Sequence, residues 1–485
     1  MSSSGAYEGA ASGRRMGTWG TSSAGPNNAI YSSLTSLRSR TRELIRNNPL
    51  AHGAIDSFVA NLIGTGITPR WKLADPVLKE ALQELWAESV LEMDASGMCD
   101  FYGLQAQITR AWREAGECFV RFRNRRPEDG LLVPLQLQVL ESDHVDETYN
   151  SISENGNEIR MGIEFNGIDQ RVAYHMFKDH PGESFLRSNT TERVRVLASE
   201  VLHIFRPLRP GQIRGVPEMS SGIVKAHEVD QCDDAELVRR KTTAMFGGFL
   251  KKPPSESADD PNPLGPQDDD DIEGNPVIAL EPGTFPELPP GWEVIFSEPK
   301  DVGGNYIAWM KENKRDLARA FGVTYEQLTG DLEGVTFSSI RSGLVEFRRL
   351  IKQFQSQLIV FQLCRPVIRR WLDMAVLSGA IEIPGYARNR RKYQKVIWCP
   401  DGFEWVNPQQ DIKAAIMEIR AGLKSRDRVI SERYGDDVEV VDREISADNA
   451  RSDKAGLIFD SDPRNTSGAG VYQDTEGADE NKNNE

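Results

Sequence analysis

The longest regular pattern in the chain is residues 336–379, which read TFSSIRSGLVEFRRLIKQFQSQLIVFQLCRPVIRRWLDMAVLSG. Apolar side chains recur here in alternating steps of four and three, which predicts a single helix with one buried stripe. At about 1.5 Å per residue, such a helix spans roughly 60 Å, so we expect it to cross the whole molecule. The predicted stripe has one polar member, Arg365, among Ile340, Leu344, Phe347, Ile351, Phe354, Leu358, Phe361, Ile368, Leu372 and Ala375.

The ends of this helix, and an irregularity within it, follow from three residues. Ser338 is the expected N-cap, and Gly379 is the expected residue just past the C-terminus. Pro366 lacks an N–H group and its ring meets the carbonyl of Gln362, which predicts a kink between 362 and 366. Two helices meeting at the proline, or a coiled-coil dimer, are the alternatives. The stripe continues past the proline and contains three phenylalanines, which favours one kinked helix in a mixed core.

Composition limits the class of protein. The 485-residue chain carries a net charge of −15, from 58 basic and 73 acidic residues. This balance argues against a surface that grips nucleic acid everywhere, although it leaves room for a surface past which DNA slides. No signal-peptide pattern occurs, and no uncharged apolar run approaches the roughly 18 residues of a membrane span. Five scattered cysteines without a CxxC pair indicate reduced thiols, so we expect a soluble protein made in a cytoplasm.

The residues before the long helix alternate between helical and extended patterns. Helical periods between 37 and 115 precede two-residue alternations between 118 and 205, which predicts an α+β domain over 37–210. The run 159–165 reads as one strand that leads into a hairpin turn at Asn166-Gly167. Four arginines near the start of this domain could contact phosphate or form a solvated helix face: Arg38, Arg40, Arg42 and Arg46.

The rest of the chain divides into smaller parts. Predicted helices at 215–247 and 305–321 flank an acidic, proline-rich insert with short strands at 249–250 and 293–296. The stretch 322–337 is polar and punctuated by glycine, which predicts a mobile loop. After the long helix we expect strands at 381–383 and 396–398 around a basic turn at 388–395. Helices at 408–421, 425–434 and 436–450 follow, with Ser425 and Asp436 as their expected N-caps.

A search for catalytic motifs finds none. The chain has no Gly-Lys dipeptide, hence no P-loop, and its six histidines are dispersed without an HExxH pattern. A calcium-loop spacing that begins at Asp269 fails, because its twelfth position is Leu280 rather than a bidentate glutamate. Paired carboxylates for nuclease metals stay open as an alternative. We expect no catalytic residue, no metal and no cofactor.

The order of these parts, with several local motifs, resembles the portal proteins of tailed phages and most closely the lambda-type portal family. The similarity covers about residues 30–455. The motifs that carry it are RELIRNNP at 42–49, DAEL at 234–237, FSSIRSGL at 337–344, WVNP at 405–408 and GLKS at 422–425.

The resemblance implies a portal-type α+β subunit with a wing, a two-helix stem, a small β-containing clip, a long kinked helix and a helical crown. Residues 1–36 and 456–485 would be a disordered arm and a disordered acidic tail. The remaining parts would be the first wing segment at 37–215, stem helix 1 at 216–247, clip at 248–300, stem helix 2 at 301–321, tunnel loop at 322–337, long kinked helix with wing return at 338–400, and crown at 401–455.

The resemblance also implies a structural role rather than an enzymatic one. The subunit would form a dodecameric ring at one capsid vertex of the virion, giving the channel for packaging and ejection of double-stranded DNA without sequence specificity. Its partners would be the terminase large subunit, the head-tail adaptor, and the major capsid and scaffold proteins, with synthesis in the bacterial host cytoplasm. The alternative from another class is a DNA-processing enzyme of the phage head, either a nuclease or a packaging ATPase.

Three groups of residues are candidates for contact with DNA or partners. The tunnel loop would supply polar side chains to the channel, the second stem helix would supply basic ones, and the acidic clip loop would meet a docking partner. The tunnel-loop candidates are Thr329, Asp331, Glu333, Thr336 and Ser338, the stem candidates are Lys311, Lys314 and Arg315, and the clip candidates are Asp268, Asp269, Asp270 and Asp271.

Overall fold

A computed structural model describes residues 14, 18–183, 192–245, 249–251, 293–295, 306–403, 408–434, 437–457, 459 and 464. The chain forms two compact units. The sheet unit comprises Met1–Arg38, Asp56–Pro217 and Val335–Glu485, and the paired-helix unit comprises Ser39–Ile55 and Glu218–Gly334. Helices and small sheets are mixed, as the predicted α+β class requires.

Helices account for most of the described elements. They are α1 (Pro26–Tyr31), α2 (Leu34–Asn47), α3 (Pro49–Ile63), α4 (Pro76–Ser89), α5 (Phe101–Ala115), α6 (Ile223–Met245), α7 (Tyr306–Phe321), α8 (Tyr325–Thr329), α9 (Phe337–Phe354), α10 (Arg365–Ser378), α11 (Tyr386–Tyr393), α12 (Pro408–Arg420), α13 (Arg426–Tyr434) and α14 (Val438–Ala455).

The strands are short. They are β1 (Thr68–Trp71), β2 (Glu117–Asn124), β3 (Leu135–Glu141), β4 (Ser151–Ile152), β5 (Glu158–Arg160), β6 (Ile163–Phe165), β7 (Arg171–Phe177), β8 (Arg193–Leu197), β9 (Val201–Phe205), β10 (Phe249–Lys251), β11 (Glu293–Ile295) and β12 (Val396–Cys399).

The long helix is confirmed, with an irregularity that begins earlier than predicted. Helices α9 and α10 are joined by a π-helical segment, Gln355–Cys364, and the backbone dihedrals stay helical through the junction, so two separate helices are wrong. The Arg365 N–H bonds to the carbonyl of Val360, five residues back. This wider turn accommodates Pro366, which cannot donate a hydrogen bond of its own.

The π-helical segment moves the buried stripe. Phe347, Ile351, Phe354 and Leu358 are buried as predicted, whereas Phe361 is 60% exposed. Within the segment, Ile359 and Val360 are buried beside Leu358. The wider turn rotates the residues that follow, so after Phe361 the buried side chains resume at Leu363 and Cys364 and continue through α10. The predicted buried positions are therefore confirmed on both sides of the segment, and the prediction is wrong at Phe361.

The caps of the long helix are confirmed at one end only. Thr336, not Ser338, is the N-cap, since its backbone is extended and its hydroxyl accepts from the Ser339 N–H. Ser338 already lies within the first helical turn. Gly379 follows the last residue in the left-handed conformation, with φ of 81°, as expected.

In the sheet unit, two sheets enclose a shared core. One has the strand order β3-β2-β9 and the other β4-β5-β6-β7-β8, all antiparallel. Phe119 of β2 packs in this core with Ile163, Tyr174, Met176 and Val196 of the five-stranded sheet. A second buried region joins Trp71, Trp86 and Trp371, whose rings lie 5.0–6.2 Å apart.

Two predictions for this unit are wrong. The run 159–165 is not one strand but the hairpin β5-β6, which turns at Met161 and Gly162 with φ values of 49° and 80°. The expected strand at 381–383 is irregular, and the basic turn at 388–395 is mostly helix α11. Strand β12 pairs with β1 instead.

The paired-helix unit contains α6, α7 and α8, and its β10 pairs with β11. The first helix begins at Ile223 rather than at 215. Gly222 allows the close approach of the two helices, because an added Cβ would lie 2.9 Å from Ala320 and Phe321 atoms of α7. The expected loop 322–337 contains the helix α8, which a capping box closes at its start.

The C-terminal helices α12, α13 and α14 follow the prediction closely. Ser425 accepts from the Arg428 N–H at 3.2 Å, as expected of an N-cap. The cap of α14 is Asp437, one residue later than predicted. Among the described residues, no helix combines the length and apolar composition that a bilayer crossing requires.

Candidate functional site

Helix α7 and the turn after α8 bring five of the predicted channel residues into one cluster. Thr324 and Gln327 cap the start of α8 reciprocally, and Gly330 ends it with φ of 69°. This sharp stop returns the chain toward α7, because a left-handed residue reverses the backbone just after a helix. We call the group Lys311, Arg315, Tyr325, Thr329, Asp331 and Glu333 the Asp331 cluster.

The Asp331 carboxylate is the centre of this cluster. It lies 3.1 Å from the Lys311 ammonium and accepts a hydrogen bond of 3.0 Å from the Tyr325 hydroxyl. The backbone N–H of Glu333 donates to its other oxygen at 2.9 Å. The Thr329 hydroxyl accepts from the Asp331 N–H and donates to the Tyr325 carbonyl. The turn is therefore fixed by hydrogen bonds rather than by apolar packing.

Hydrogen bonds within the cluster favour the charged forms of Asp331 and Lys311. The Glu333 amide, Lys311 and Tyr325 together lower the pKa of Asp331 to about 2. Hydrogen bonding to Asp331 raises the pKa of Lys311. Two cations, Lys311 and Arg315, lie 5.6 and 5.7 Å from the centre of the Tyr325 ring. Both pKa shifts favour the charged form, so the arrangement suits the positioning of charge.

The other predicted residues are not members of this cluster. Lys314 is half-buried on α7 and takes no part in this network. Thr336 and Ser338 belong to the sheet unit, where Thr336 caps α9 and the Ser338 carbonyl accepts from the Ser342 hydroxyl. The clip candidates Asp268, Asp269, Asp270 and Asp271, and the failed calcium loop, lie outside the described residues.

Sequence reasoning missed Tyr325, the residue that connects both cations and Asp331. A signal was present, since Thr324 and Gln327 have the spacing of a capping box. That motif predicts a helix start at 325, which would have placed Tyr325 on an ordered turn.

A second charged group lies buried in the sheet unit. Glu117 is fully buried, and its carboxylate lies 2.6 Å from both the Arg38 and Arg214 guanidiniums. His203 lies 2.9 Å away, and the Gly215 N–H donates at 2.7 Å. Arg38 is therefore neither a phosphate contact nor part of a solvated face, because it is buried and paired with Glu117. We call Glu117, Arg38, Arg214 and His203 the Glu117 network.

Burial and charge act in opposite directions on this network. Burial alone would raise the pKa of Glu117, but Arg214 and Arg38 hold it far below its usual range. Burial lowers the pKa of His203 to about 4, against the opposing effect of Glu117. The network is closed to solvent and has a structural character.

One acid–histidine group has the residue types of a metal site. Single ligand atoms of Glu141, Asp143 and His180 lie within 4.8 Å of one another. However, His180 Nδ1 accepts a hydrogen bond from the Gly182 N–H at 3.0 Å. The neutral ring then carries its proton on Nε2, the nitrogen nearest Glu141, and offers no lone pair there. The group fits a metal poorly.

Comparison with known proteins places the chain in a family. The sequence model of the "Phage portal protein, lambda family" matches residues 12–355. The probable portal protein of Halomonas phage phiHAP-1 is 31% identical over 459 residues, covering 92% of this chain and 86% of that protein. The class is therefore that of phage portal proteins, which are structural components of the virion rather than catalysts. Within that class, the chain belongs to the lambda family of portal proteins.

More distant relatives carry the same name. Portal protein B of Escherichia phage lambda is 21% identical, covering 93% of this chain and 90% of its own length. The portal protein of Escherichia phage N15 is also 21% identical, over 92% and 89%. Among solved structures, the neck of a native gene transfer agent particle computed with C12 symmetry has a TM-score of 0.47 at 14% identity, covering 80% and 92%.

Proposed function

We propose that this chain is the subunit of a dodecameric ring at one capsid vertex, which forms the channel for packaging and ejection of double-stranded DNA. Membership of the lambda portal family over most of the chain is the observation that carries the proposal. The net charge of −15 supports it, because a channel wall must let phosphate slide instead of binding it tightly.

We assign the parts of the ring subunit as the family resemblance implies. The wing would comprise 37–215 and 338–400, the stem 216–247 and 301–321, the clip 248–300, the tunnel loop 322–337 and the crown 401–455. The stem assignment is supported by contacts between α6 and α7. Tyr306 donates to Asp233 at 2.9 Å, and Lys225 pairs with Asp316.

The Asp331 cluster would present the tunnel loop to DNA. Its fixed carboxylate repels phosphate while Lys311 and Arg315, near the same ring, attract it. A lining with both charges close together lowers the net attraction and favours sliding over capture. Lys314, Thr336 and Ser338 would complete the lining, and Asp268, Asp269, Asp270 and Asp271 would meet a docking partner.

The ring would dock the terminase large subunit during packaging and the head-tail adaptor afterwards, and would contact the major capsid and scaffold proteins. It would be made in the cytoplasm of the bacterial host. A DNA-processing enzyme is the competing function. A metal-dependent nicking activity of the purified chain would favour that enzyme over the portal.

The direct test is native mass spectrometry and negative-stain microscopy of the purified chain. Rings of about a dozen subunits with an open axial hole are expected, since heterologous contacts of one chain close into a ring. A folded monomer or dimer would contradict the proposal.

Deletion of residues 329–335 tests the tunnel loop separately. We expect rings of normal size but impaired DNA packaging or retention, because the deletion removes Asp331 and its contacts while leaving the whole of α7 in place. Loss of ring assembly would show that the segment serves the assembly instead.

A further inference from the structure

Strand β2 places arginines in a row on one face of the three-stranded sheet. Alternate residues of a strand share a face, so Arg121 and Arg123 follow Phe119 along β2, and Arg125 continues the row just past its end. At 3.3–3.4 Å per residue, neighbouring members of this row are about 6.7 Å apart along the strand. Phe119 is in the core, whereas the arginines beyond it line cavities.

The row lines a cleft in the sheet unit. A cavity of about 560 Å³ is lined by the three arginines together with Gln138 and Glu200. A second cavity of about 260 Å³ shares Arg121, Arg123 and Gln138, and is closed on its other side by side chains of the five-stranded sheet. We call the two together the arginine cleft. Its other charged lining residues are Lys178, Glu192 and Glu200.

The charge of this cleft stays positive, because its three arginines and Lys178 outnumber the carboxylates Glu192 and Glu200. Arg123 donates from Nε to the Gln138 amide oxygen at 2.8 Å, and Arg125 donates to Gln136 at 2.7 Å. Both partners are neutral amides. Nε of Arg121 is buried and has no hydrogen-bond partner within the described part of the chain. Burial, together with the charges of Arg121 and Arg125, lowers the pKa of Arg123 against the opposing effect of Glu200.

Other arginines of the same unit have carboxylate partners. Arg38 and Arg214 pair with Glu117, and Arg195 pairs with the buried Glu164 at 2.7 Å. Desolvated guanidiniums require compensation of this kind. Among the described residues, the arginine cleft therefore combines an excess of positive charge, an arginine donor without a hydrogen-bond partner and space beside that donor. An anion supplied from outside would satisfy all three conditions.

We propose that the arginine cleft binds consecutive phosphates of a DNA backbone, outside the proposed channel. Guanidinium groups match phosphate oxygens bidentately, and a linear row of three suits a linear polyanion better than a compact anion. Three residues at the row's spacing span about 13 Å. A DNA strand carries one phosphate per about 3.4 Å of helix axis, so the row is long enough to meet several phosphates of one strand. The identity of the polyanion rests on the proposed function, whereas the presence of an anion site does not.

The test measures DNA binding of the full chain by fluorescence anisotropy at several salt concentrations, with a short labelled duplex and the matching single strand. The variant R121Q/R123Q removes two cations from the cleft. The slope of log K against log salt is negative, and its magnitude should decrease in the variant. The decrease should be about 1.8 for the duplex or about 1.4 for the single strand, since each phosphate contact contributes about 0.9 or 0.7. The cleft binds whichever form of DNA, duplex or single strand, shows the expected change in slope.

Two matched variants make the result specific. R426Q/R443Q removes the same charge from two exposed ion pairs, with Asp442 and Glu80, and should leave the slope unchanged. R121K/R123K keeps the charge and should keep the slope while weakening affinity, because lysine cannot bind phosphate bidentately. Thermal melts verify that each variant is folded.

An unchanged slope in folded R121Q/R123Q would overturn the inference. A competition experiment gives a second way to overturn it. If an acidic peptide of residues 471–485 displaced the wild-type protein from DNA but inorganic polyphosphate did not, the cleft would prefer carboxylates to phosphates. Negative-stain images of the same samples separate the two proposals. Rings with an unchanged slope refute the cleft alone, whereas absence of rings with the expected slope change refutes only the ring.

Discussion

The Glu117 network and the Asp331 cluster are built from the same chemistry in opposite surroundings. Each centres on a carboxylate whose pKa is lowered by neighbouring cations and which also accepts a hydrogen bond from a backbone N–H. Glu117 has no exposed surface, whereas the Asp331 side chain is 29% exposed. In the buried case the cost of desolvation makes every partner obligatory. In the exposed case water can replace a lost partner, so the contacts set position more than stability.

This difference in burial predicts which substitutions destabilise the whole fold and which alter only local structure. In the sheet unit, ion pairs such as Arg214–Glu117 hold segments that are far apart in sequence. In the paired-helix unit, Lys311 and Asp331 hold a turn of a few residues. We therefore expect substitutions in the first group to act on unfolding, and substitutions in the second group to act on local order.

The largest effect is expected for Glu117→Gln. Removing the charge leaves Arg214 buried without a carboxylate, while Arg38 keeps its second partner, Glu147. The free energy of unfolding should fall by about 3–5 kcal/mol, as measured by urea denaturation. Glu128→Gln, an exposed substitution in the same unit, is the matched control. A loss as small as that of the control would show that the network is not structural.

The pH dependence of stability comes next. His203 has a folded pKa of about 4, below its unfolded value of 6.5, so the unfolded chain takes up the proton first. Stability should therefore be full above pH 6.5 and decline as the pH falls toward 4, by on the order of 3 kcal/mol from this residue. Glu117, whose pKa is also lowered, adds a further loss of stability below about pH 4.5.

Measurement of Tm against pH checks this sign. His203→Gln should flatten the curve between pH 6.5 and 4, because one proton-uptake step is removed. A wild-type protein that becomes more stable on acidification over this range would contradict the assignment.

A local effect is expected for Asp331→Asn. The substitution weakens the contacts to Lys311 and the Glu333 N–H, so limited proteolysis should cut faster between 330 and 335 while Tm hardly changes. Glu333→Gln changes the same charge in the same turn but leaves these contacts in place. Equal cleavage rates for the two variants would show that Asp331 does not order the turn.

The smallest effect is expected for Tyr325→Phe. The ring near Lys311 and Arg315 remains, and only the hydroxyl bond to Asp331 is lost. Hydrogen exchange in a peptide covering 325–335 should accelerate less than in Asp331→Asn. If Tyr325→Phe matched or exceeded Asp331→Asn, the tyrosine hydroxyl would be the main anchor.

The sequence predicted the periodic elements well and the turns less well. The long helix, the strands β2, β3, β7 and β9, and the helical tail all follow from spacing. The hairpin at Met161 and Gly162 was missed because a two-residue turn preserves the alternation, so Ile159 and Ile163 remain in phase on either side of it. Helix α11 was missed because it is short and buries only Tyr386, which leaves no apolar period to detect.

Separation along the chain decides which contacts of the candidate sites a sequence can indicate. Lys311, Arg315, Asp331 and Glu333 lie close together along the chain, so a helix and the loop after it could be expected to meet. The Glu117 network joins residues 79 to 97 positions apart, and no local pattern indicates such partners. The arginine cleft was overlooked because a strand with alternating arginines reads simply as half exposed.

The π-helical segment 355–364 has a consequence for how this helix can vary among relatives. A π turn holds one more residue than an α turn, so the segment contains a residue that regular helix geometry does not require. Loss of a single residue there would restore ordinary turns and leave both α9 and α10 facing the cores that they face now. Gaps in alignments of related chains should therefore concentrate within 355–364, and insertions or deletions in either flank should be rare.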